Sequence, residues 1–229
     1  MIHIYAIQHK GLNHIMFHQL LKYVSWNKRE KINRFANIDD GKRSLLGEIV
    51  VRAFIKKRFN ISNERIKMGH NTYGKPHILG MPDFHYNISH SKDWIIVGIS
   101  SSLIGVDIEY MEPCNVQIAK RFFSKDEYQA IQKKKHEERI KLFYELWTAK
   151  ESYIKAIGKG LSVPLNSFSI QNLGRTLRLL NSTEHFYFKK YHIDDNYKCV
   201  VCSKHVNHIS KPVLLDINNI YENIVNIGS

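Results

Sequence analysis

The chain is short of cysteine, proline and acidic residues, and it has no long apolar run. Three cysteines in 229 residues, Cys114, Cys199 and Cys202, are too few for the disulfide framework of a small secreted domain. No apolar stretch approaches the about 20 residues that span a bilayer. The N-terminal run Met1-Ile2-His3-Ile4-Tyr5-Ala6-Ile7 alternates like a strand and lacks the basic flank and cleavage site of a signal peptide. These absences predict a cytoplasmic protein that stays off the membrane. No low-complexity segment interrupts the chain, so one large domain or two small ones are expected.

Asp and Glu number 21 against 34 Lys and Arg, a formal net charge of +13. Such an excess predicts attraction to a polyanion: nucleic acid, a membrane surface, a phosphorylated ligand or an acidic protein. The runs Lys56-Lys57-Arg58 and Lys133-Lys134-Lys135 read as solvated faces and do not choose among these partners. Cys199-Val200-Val201-Cys202 has the spacing of a metal or redox pair, but it lies among β-branched residues. Positions three apart on a strand face opposite ways, so the two thiols read as structural. His205 and His208 lack the further cysteine or carboxylate that would complete a zinc site.

Periodicity places the remaining chemistry. Ser25 caps a helix through Lys28-Arg29-Glu30-Lys31, on which Lys28 and Lys31 share a face. A core helix is expected over 45–58, with Leu45, Leu46, Ile49, Phe54 and Ile55 inward. Arg43 stands near its beginning, where the helix dipole favours an anion. Strands are expected at Phe84–Ser91, Trp94–Ile99 and Ile104–Glu109. On the last of these, Asp107 and Glu109 face one way, and Val106 and Ile108 the other. Two carboxylates on one face of an apolar strand suit either a hard divalent cation such as Mg²⁺ or simple exposure to water. Met111 to Val116 reads as a linker. Ser124-Lys125-Asp126-Glu127 has the form of a capping box, which gives Glu127 a structural role. A second long helix, 138–157, carries Trp147, Lys150, Glu151 and Lys155, with Glu151 and Lys155 one turn apart. Strands follow at 168–170, 176–180, 186–191 and 198–202. Each half thus runs helix, Gly-Lys step (Gly74-Lys75, Gly158-Lys159), then antiparallel strands.

Five motifs stand in order: Gly74-Lys75-Pro76, Asn87-Ile88-Ser89-His90-Ser91, Gly105-Val106-Asp107-Ile108-Glu109, Arg121-Phe122-Phe123-Ser124, and Trp147-x-x-Lys150-Glu151-x-x-x-Lys155. In type, order and spacing they resemble the 4′-phosphopantetheinyl transferases of the Sfp (surfactin synthetase activating) type, from the first strand to about residue 202. The resemblance implies an α+β, pseudo-twofold monomer of two similar subdomains, 1–110 and 111–229, each a helix packed on a small antiparallel sheet. Coenzyme A would lie in the cleft between them. The implied reaction moves the 4′-phosphopantetheine arm of coenzyme A to a serine of an apo peptidyl or acyl carrier protein and releases adenosine 3′,5′-bisphosphate. It also implies that Asp107, Glu109 and Glu151 hold Mg²⁺, with Glu127 near it. Glu151 would be the base for the carrier serine, and Lys155 would meet the leaving bisphosphate. Lys150, Ser89 and His90 would contact phosphates, and Lys28, Lys31 and Arg43 the 3′-phosphate. Tyr73, Gly74, Lys75 and Pro76 would flank the adenine, and Phe122 and Phe123 would meet the carrier. A basic nucleic-acid-binding protein, or a coenzyme A-binding protein without transfer activity, are the rival classes. The first leaves the three carboxylates without a purpose.

Overall fold

A computed structural model describes residues 2–113, 116–174, 176–180, 182, 184–205 and 211–225; Cys114 and His208 lie outside the described residues. Strand β1 (Ile2–Gln8) leads into helices α1 (His14–Leu20), α2 (Trp26–Asn33) and α3 (Ile38–Phe59). A small hairpin, β2 (Met68–His70) and β3 (Pro76–Ile78), precedes strands β4 (His85–Ser91), β5 (Trp94–Ser100) and β6 (Ile104–Tyr110). Helices α4 (Ala119–Phe122), α5 (Lys125–Gln132) and α6 (His136–Ile157) follow. Strands β7 (Ser169–Asn172), β8 (Leu177–Leu180), β9 (Tyr187–Tyr191), β10 (Tyr197–Ser203) and β11 (Val213–Leu214) and helix α7 (Ile217–Val225) complete the described chain.

Two sheets meet face to face. The first runs β11-β1-β5-β4 and the second β6-β10-β9. Ile2, Ile4 and Ile96 of the first pack against Val106, Ile108, Cys199 and Val201 of the second in one dry cluster. Outside this pair, α3 and α7 cover the first sheet, while α5 and α6 cover the second. The α+β architecture is therefore the expected one, a helix on a small sheet in each half. The alternation of β6 explains the second interface: Val106 and Ile108 enter the inter-sheet core, and Gly105, Asp107 and Glu109 turn toward α6.

Three expectations are corrected. The division at residue 110 puts β6 in the first half, but β6 hydrogen-bonds along its length to β10 and belongs to the second sheet. Residues 213–225 return to the first half, where β11 pairs with β1 in parallel, so that sheet is not purely antiparallel. Helix α3 begins at Ile38 with Asn37 capping it, so Arg43 stands in the second turn and not among the free N–H groups. Gly41 is buried inside that helix; a Cβ there would lie 3.3 Å from the Ile32 side chain.

Both cysteine side chains of β10 are buried, Cys199 between the sheets and Cys202 on the opposite face, and burial pushes both thiols up. This is the structural role expected of them.

Candidate active site

Helix α6 lies directly on β6, and a glycine makes that possible. A Cβ on Gly105 would stand 1.9 Å from the Ser152 carbonyl oxygen and 2.3 Å from the Ala156 nitrogen. At this approach Lys155 Nζ reaches Asp107 Oδ1 at 2.6 Å and Ser89 Oγ at 3.0 Å. Asp107 is buried, and its Oδ2 has no hydrogen-bond partner. Glu109 accepts a hydrogen bond from Ser91 Oγ at 3.1 Å. Burial first, and then the charge of Asp107, raise its pKa to about 7. Burial and Asp107 also raise the pKa of Glu151. For Lys155 burial works against the ammonium, but Asp107, Glu151 and Glu109 outweigh it and the pKa rises. Four ionisable side chains thus meet across the β6–α6 contact, and the charge of Asp107 acts on the other three.

The polar run of β4 has a role that its residue types alone did not disclose. Beside β6, Asn87 Oδ1 accepts from Val106 N at 2.8 Å, Ser89 Oγ from Ile108 N at 3.3 Å, and Ser91 Oγ from Tyr110 N at 3.0 Å. Small polar side chains at every second position of β4 replace the ladder partners that the edge of β6 would otherwise lack. Ser89, expected as a phosphate contact, is buried and committed to Ile108, Asp107 and Lys155. The signal for this role is the period-two spacing of Asn87, Ser89 and Ser91.

His90, on the opposite face of β4, is exposed. Loss of water around the ring, and then the charges of Arg43 and Lys155, lower its pKa. Arg43 donates to Lys92 O at 2.7 Å, contacts His9 Nε2 and pairs with Asp40. The structure therefore brings both Arg43 and Lys155 within electrostatic reach of His90 at the strand end.

Several expected ligand contacts are corrected. Lys150 is fully buried, with Nζ donating to Glu127 Oε2 (2.8 Å), Leu165 O (2.8 Å) and Phe168 O (2.6 Å), so all three donors are used away from any phosphate. Glu127 completes the capping box with Ser124 and accepts from Ile170 N at 2.6 Å; it is a structural group and not a metal neighbour. Lys28 is held 3.6 Å from Glu48, itself paired with Arg52, and burial lowers its pKa; Lys31 is exposed. Lys75 donates to two main-chain carbonyls across the seam instead of standing free beside exposed Tyr73 and Gly74. Trp147 is half-buried, with the ring of Phe122 edge-on to it.

Phe123 is 3% exposed and packs on Phe143 and Trp147, so it is core and not a docking residue. Phe122 is half-buried beneath the Arg121 guanidinium. Phe123→Ala is expected to cost about 3–5 kcal/mol in denaturant unfolding. An unchanged midpoint would place the ring outside the core.

Carboxylates and an ammonium clamped between a strand and a helix, with shifted pKa values, suit the proton and group transfer of an enzyme active site. Comparison with known proteins makes the class definite. Residues 13–102 match the family model "4'-phosphopantetheinyl transferase, N-terminal", and residues 103–202 match "4'-phosphopantetheinyl transferase superfamily". The junction of the two matches falls in the loop before β6, where the sheets divide. Sfp of Bacillus subtilis (strain 168) is 43% identical over 82% of this chain and 85% of its own length. The gsp transferase of Aneurinibacillus migulanus is 40% identical over 82% of this chain and 79% of its own, and psf-1 of Bacillus pumilus 34% over 91% of both. The chain belongs to the 4′-phosphopantetheinyl transferases, in the Sfp type.

Proposed function

We propose that this enzyme transfers the 4′-phosphopantetheine arm of coenzyme A to a serine of an apo peptidyl or acyl carrier protein, with Mg²⁺, releasing adenosine 3′,5′-bisphosphate. The observation that carries the proposal is the Asp107 carboxylate: one oxygen is bound to Lys155, and the other is buried and unpartnered, beside two carboxyls whose pKa values are raised. A buried oxygen of this kind suits a hard cation. Asp107, Glu109 and Glu151 would hold the ion, although no three His, Cys, Asp or Glu side chains among the described residues stand close enough to form a ready-made cage. Mg²⁺ commonly takes only one or two carboxylates and fills its shell with water and substrate phosphates, so the donor set fits. When bound, the ion would neutralise charge on the pyrophosphate.

Glu151 serves as base, directly or through a water. Burial and the Asp107 charge raise its pKa, which makes it a stronger proton acceptor than an ordinary carboxylate. The serine oxygen bonds to the phosphorus attached to pantetheine, and the bond from that phosphorus to the oxygen bridging to the adenosine phosphate breaks. Lys155 holds its proton firmly and offers positive charge to the departing phosphate. Arg43, His90 and Lys31 are the remaining candidates for the nucleotide phosphates. Four of the basic residues, Lys28, Arg52, Lys75 and Lys150, are committed inside the fold and are not part of a basic surface. An acidic carrier from nonribosomal peptide synthesis, and so antibiotic biosynthesis, is the proposed partner of a cytoplasmic monomer.

Incubation with an apo carrier domain, coenzyme A and Mg²⁺ should raise the carrier mass by one phosphopantetheine, and EDTA should prevent it; no gain with several carriers sinks the reading. Glu151→Gln should lose turnover by at least about a hundredfold while coenzyme A binding changes little. Normal turnover would remove Glu151 as the base.

Glu109 also sets a pH dependence. Its pKa rises from 4.5 to about 7, so between these values the folded protein keeps a proton that the unfolded chain has lost. The stability from this group is full below 4.5 and gone above about 7. The ion competes with that proton, so Mg²⁺ affinity in the presence of coenzyme A should weaken by up to about tenfold per pH unit below 7. Calorimetry on the protein and on Glu109→Gln checks this: a pH slope that survives the substitution would assign the titration to another group.

A further inference from the structure

We propose that Lys75 is a positioning residue for the transfer reaction, a cap supplied by the first half that holds the end of α6 against β6 and so sets Glu151 and Lys155 opposite Asp107. This rests on the reaction proposed above. Lys75 Nζ donates to Ala156 O at 2.9 Å and to Ile104 O at 3.0 Å. Ala156 lies in the last turn of α6, where carbonyls have no partner within the helix and a cation is favoured. Ile104 opens β6. One ammonium therefore joins a carbonyl adjacent to Lys155 with one three residues before Asp107.

A second bond repairs the same helix end. Asn71 Nδ2 donates to Gly158 O at 2.8 Å, and Asn71 Oδ1 accepts from Tyr73 N and Lys75 N, which shapes the turn that presents Lys75. The Lys75 stem lies over Gly158, where a Cβ would come within 2.7 Å of Lys75 Cδ. A cavity of about 280 Å³, lined by Lys75, Tyr86, Leu103 and Ile157 among others, lies on this seam. Burial, with no carboxylate beside it among the described residues, lowers the Lys75 pKa to about 8, as for a group held by carbonyl dipoles and not by an ion pair.

The reaction needs carboxylates from β6 and from α6 in one constellation, and a displacement of about 1 Å in such a site costs on the order of a hundredfold in rate. Lys75→Met keeps the stem and removes every donor. Expected for this variant is a kcat lower by about tenfold to a hundredfold, with the coenzyme A Kd by calorimetry and the carrier KM within about threefold of the parent. A coenzyme A Kd weaker by tenfold with kcat retained would make Lys75 a ligand contact and overturn the proposal. A lower melting temperature with kcat and KM unchanged would make it a purely structural bond, and overturn it equally. Should Lys75→Met not fold, Asn71→Asp, which sets a carboxylate in place of the donor to Gly158, is expected to give the same loss of kcat at near-constant Kd. If the parent protein itself modifies no carrier, the transferase reading fails before any variant is compared.

Discussion

Gly105→Ala is expected to abolish measurable transfer and to lower stability by about 3 kcal/mol, the upper end for overpacking a close-packed contact. The added methyl would meet the Ser152 carbonyl oxygen, the Ala156 nitrogen and the Lys155 carbonyl carbon, at 1.9, 2.3 and 2.9 Å. All three are backbone atoms of a continuous helix, so no rotamer change can make room. Helix α6 must lift from β6, and Lys155 and Glu151 lift with it, away from Asp107. Gly98→Ala is the informative control. Its Cβ meets the Val106 and Ile104 side chains at 2.6 and 3.0 Å, atoms that can rotate aside, and its face belongs to the inter-sheet core. It should cost stability of similar order with far less effect on kcat. Chemical denaturation and the carrier mass assay, run on both variants, separate the two. Turnover by Gly105→Ala within tenfold of the parent would show that the β6–α6 approach does not govern the chemistry.

The same contact shows what could be read in the sequence and what could not. The alternation of β6 placed Asp107 and Glu109 on one face and Val106 and Ile108 on the other, and that face is the one turned to α6. The capping box at Ser124 and the cap at Ser25 were legible because both are local, set by residues three apart. The lysines were not. Lys28, Lys75, Lys150 and Lys155 carry the same group, and the resemblance placed all four on coenzyme A, Lys75 beside the adenine and the others on phosphates. Their partners, Glu48, Ile104 with Ala156, Glu127 with Leu165 and Phe168, and Asp107, lie 15 to 81 residues away in the chain. No periodicity reports such pairings. The return of β11 and α7 to the first sheet escaped for the same reason: β11 pairs with a strand at the opposite end of the chain.

Lys150→Met is expected to destabilise the protein by about 3–5 kcal/mol, because it leaves the Glu127 carboxylate buried without its counter-charge. Glu127 is 5% exposed and Lys150 0%, so water cannot take over the role of either partner. The double variant Lys150→Met with Glu127→Gln removes both charges. A glutamine oxygen still accepts from a main-chain N–H, so about half or more of the lost stability should return. Denaturant midpoints of the two single variants and the double one give the coupling directly; a double variant no more stable than Lys150→Met would show that the pair is not the source of the loss. The helical geometry adds a second expectation. Successive residues on a helix turn by about 100°, so Lys150 points into the core beside Phe168 while its neighbour Glu151 points across β6 toward Asp107. In the folded double variant the coenzyme A Kd should therefore stay within about threefold of the parent, since no phosphate contact has been removed. A Kd weaker by tenfold or more, at recovered stability, would return Lys150 to the ligand and mean that the helix rotates when coenzyme A binds.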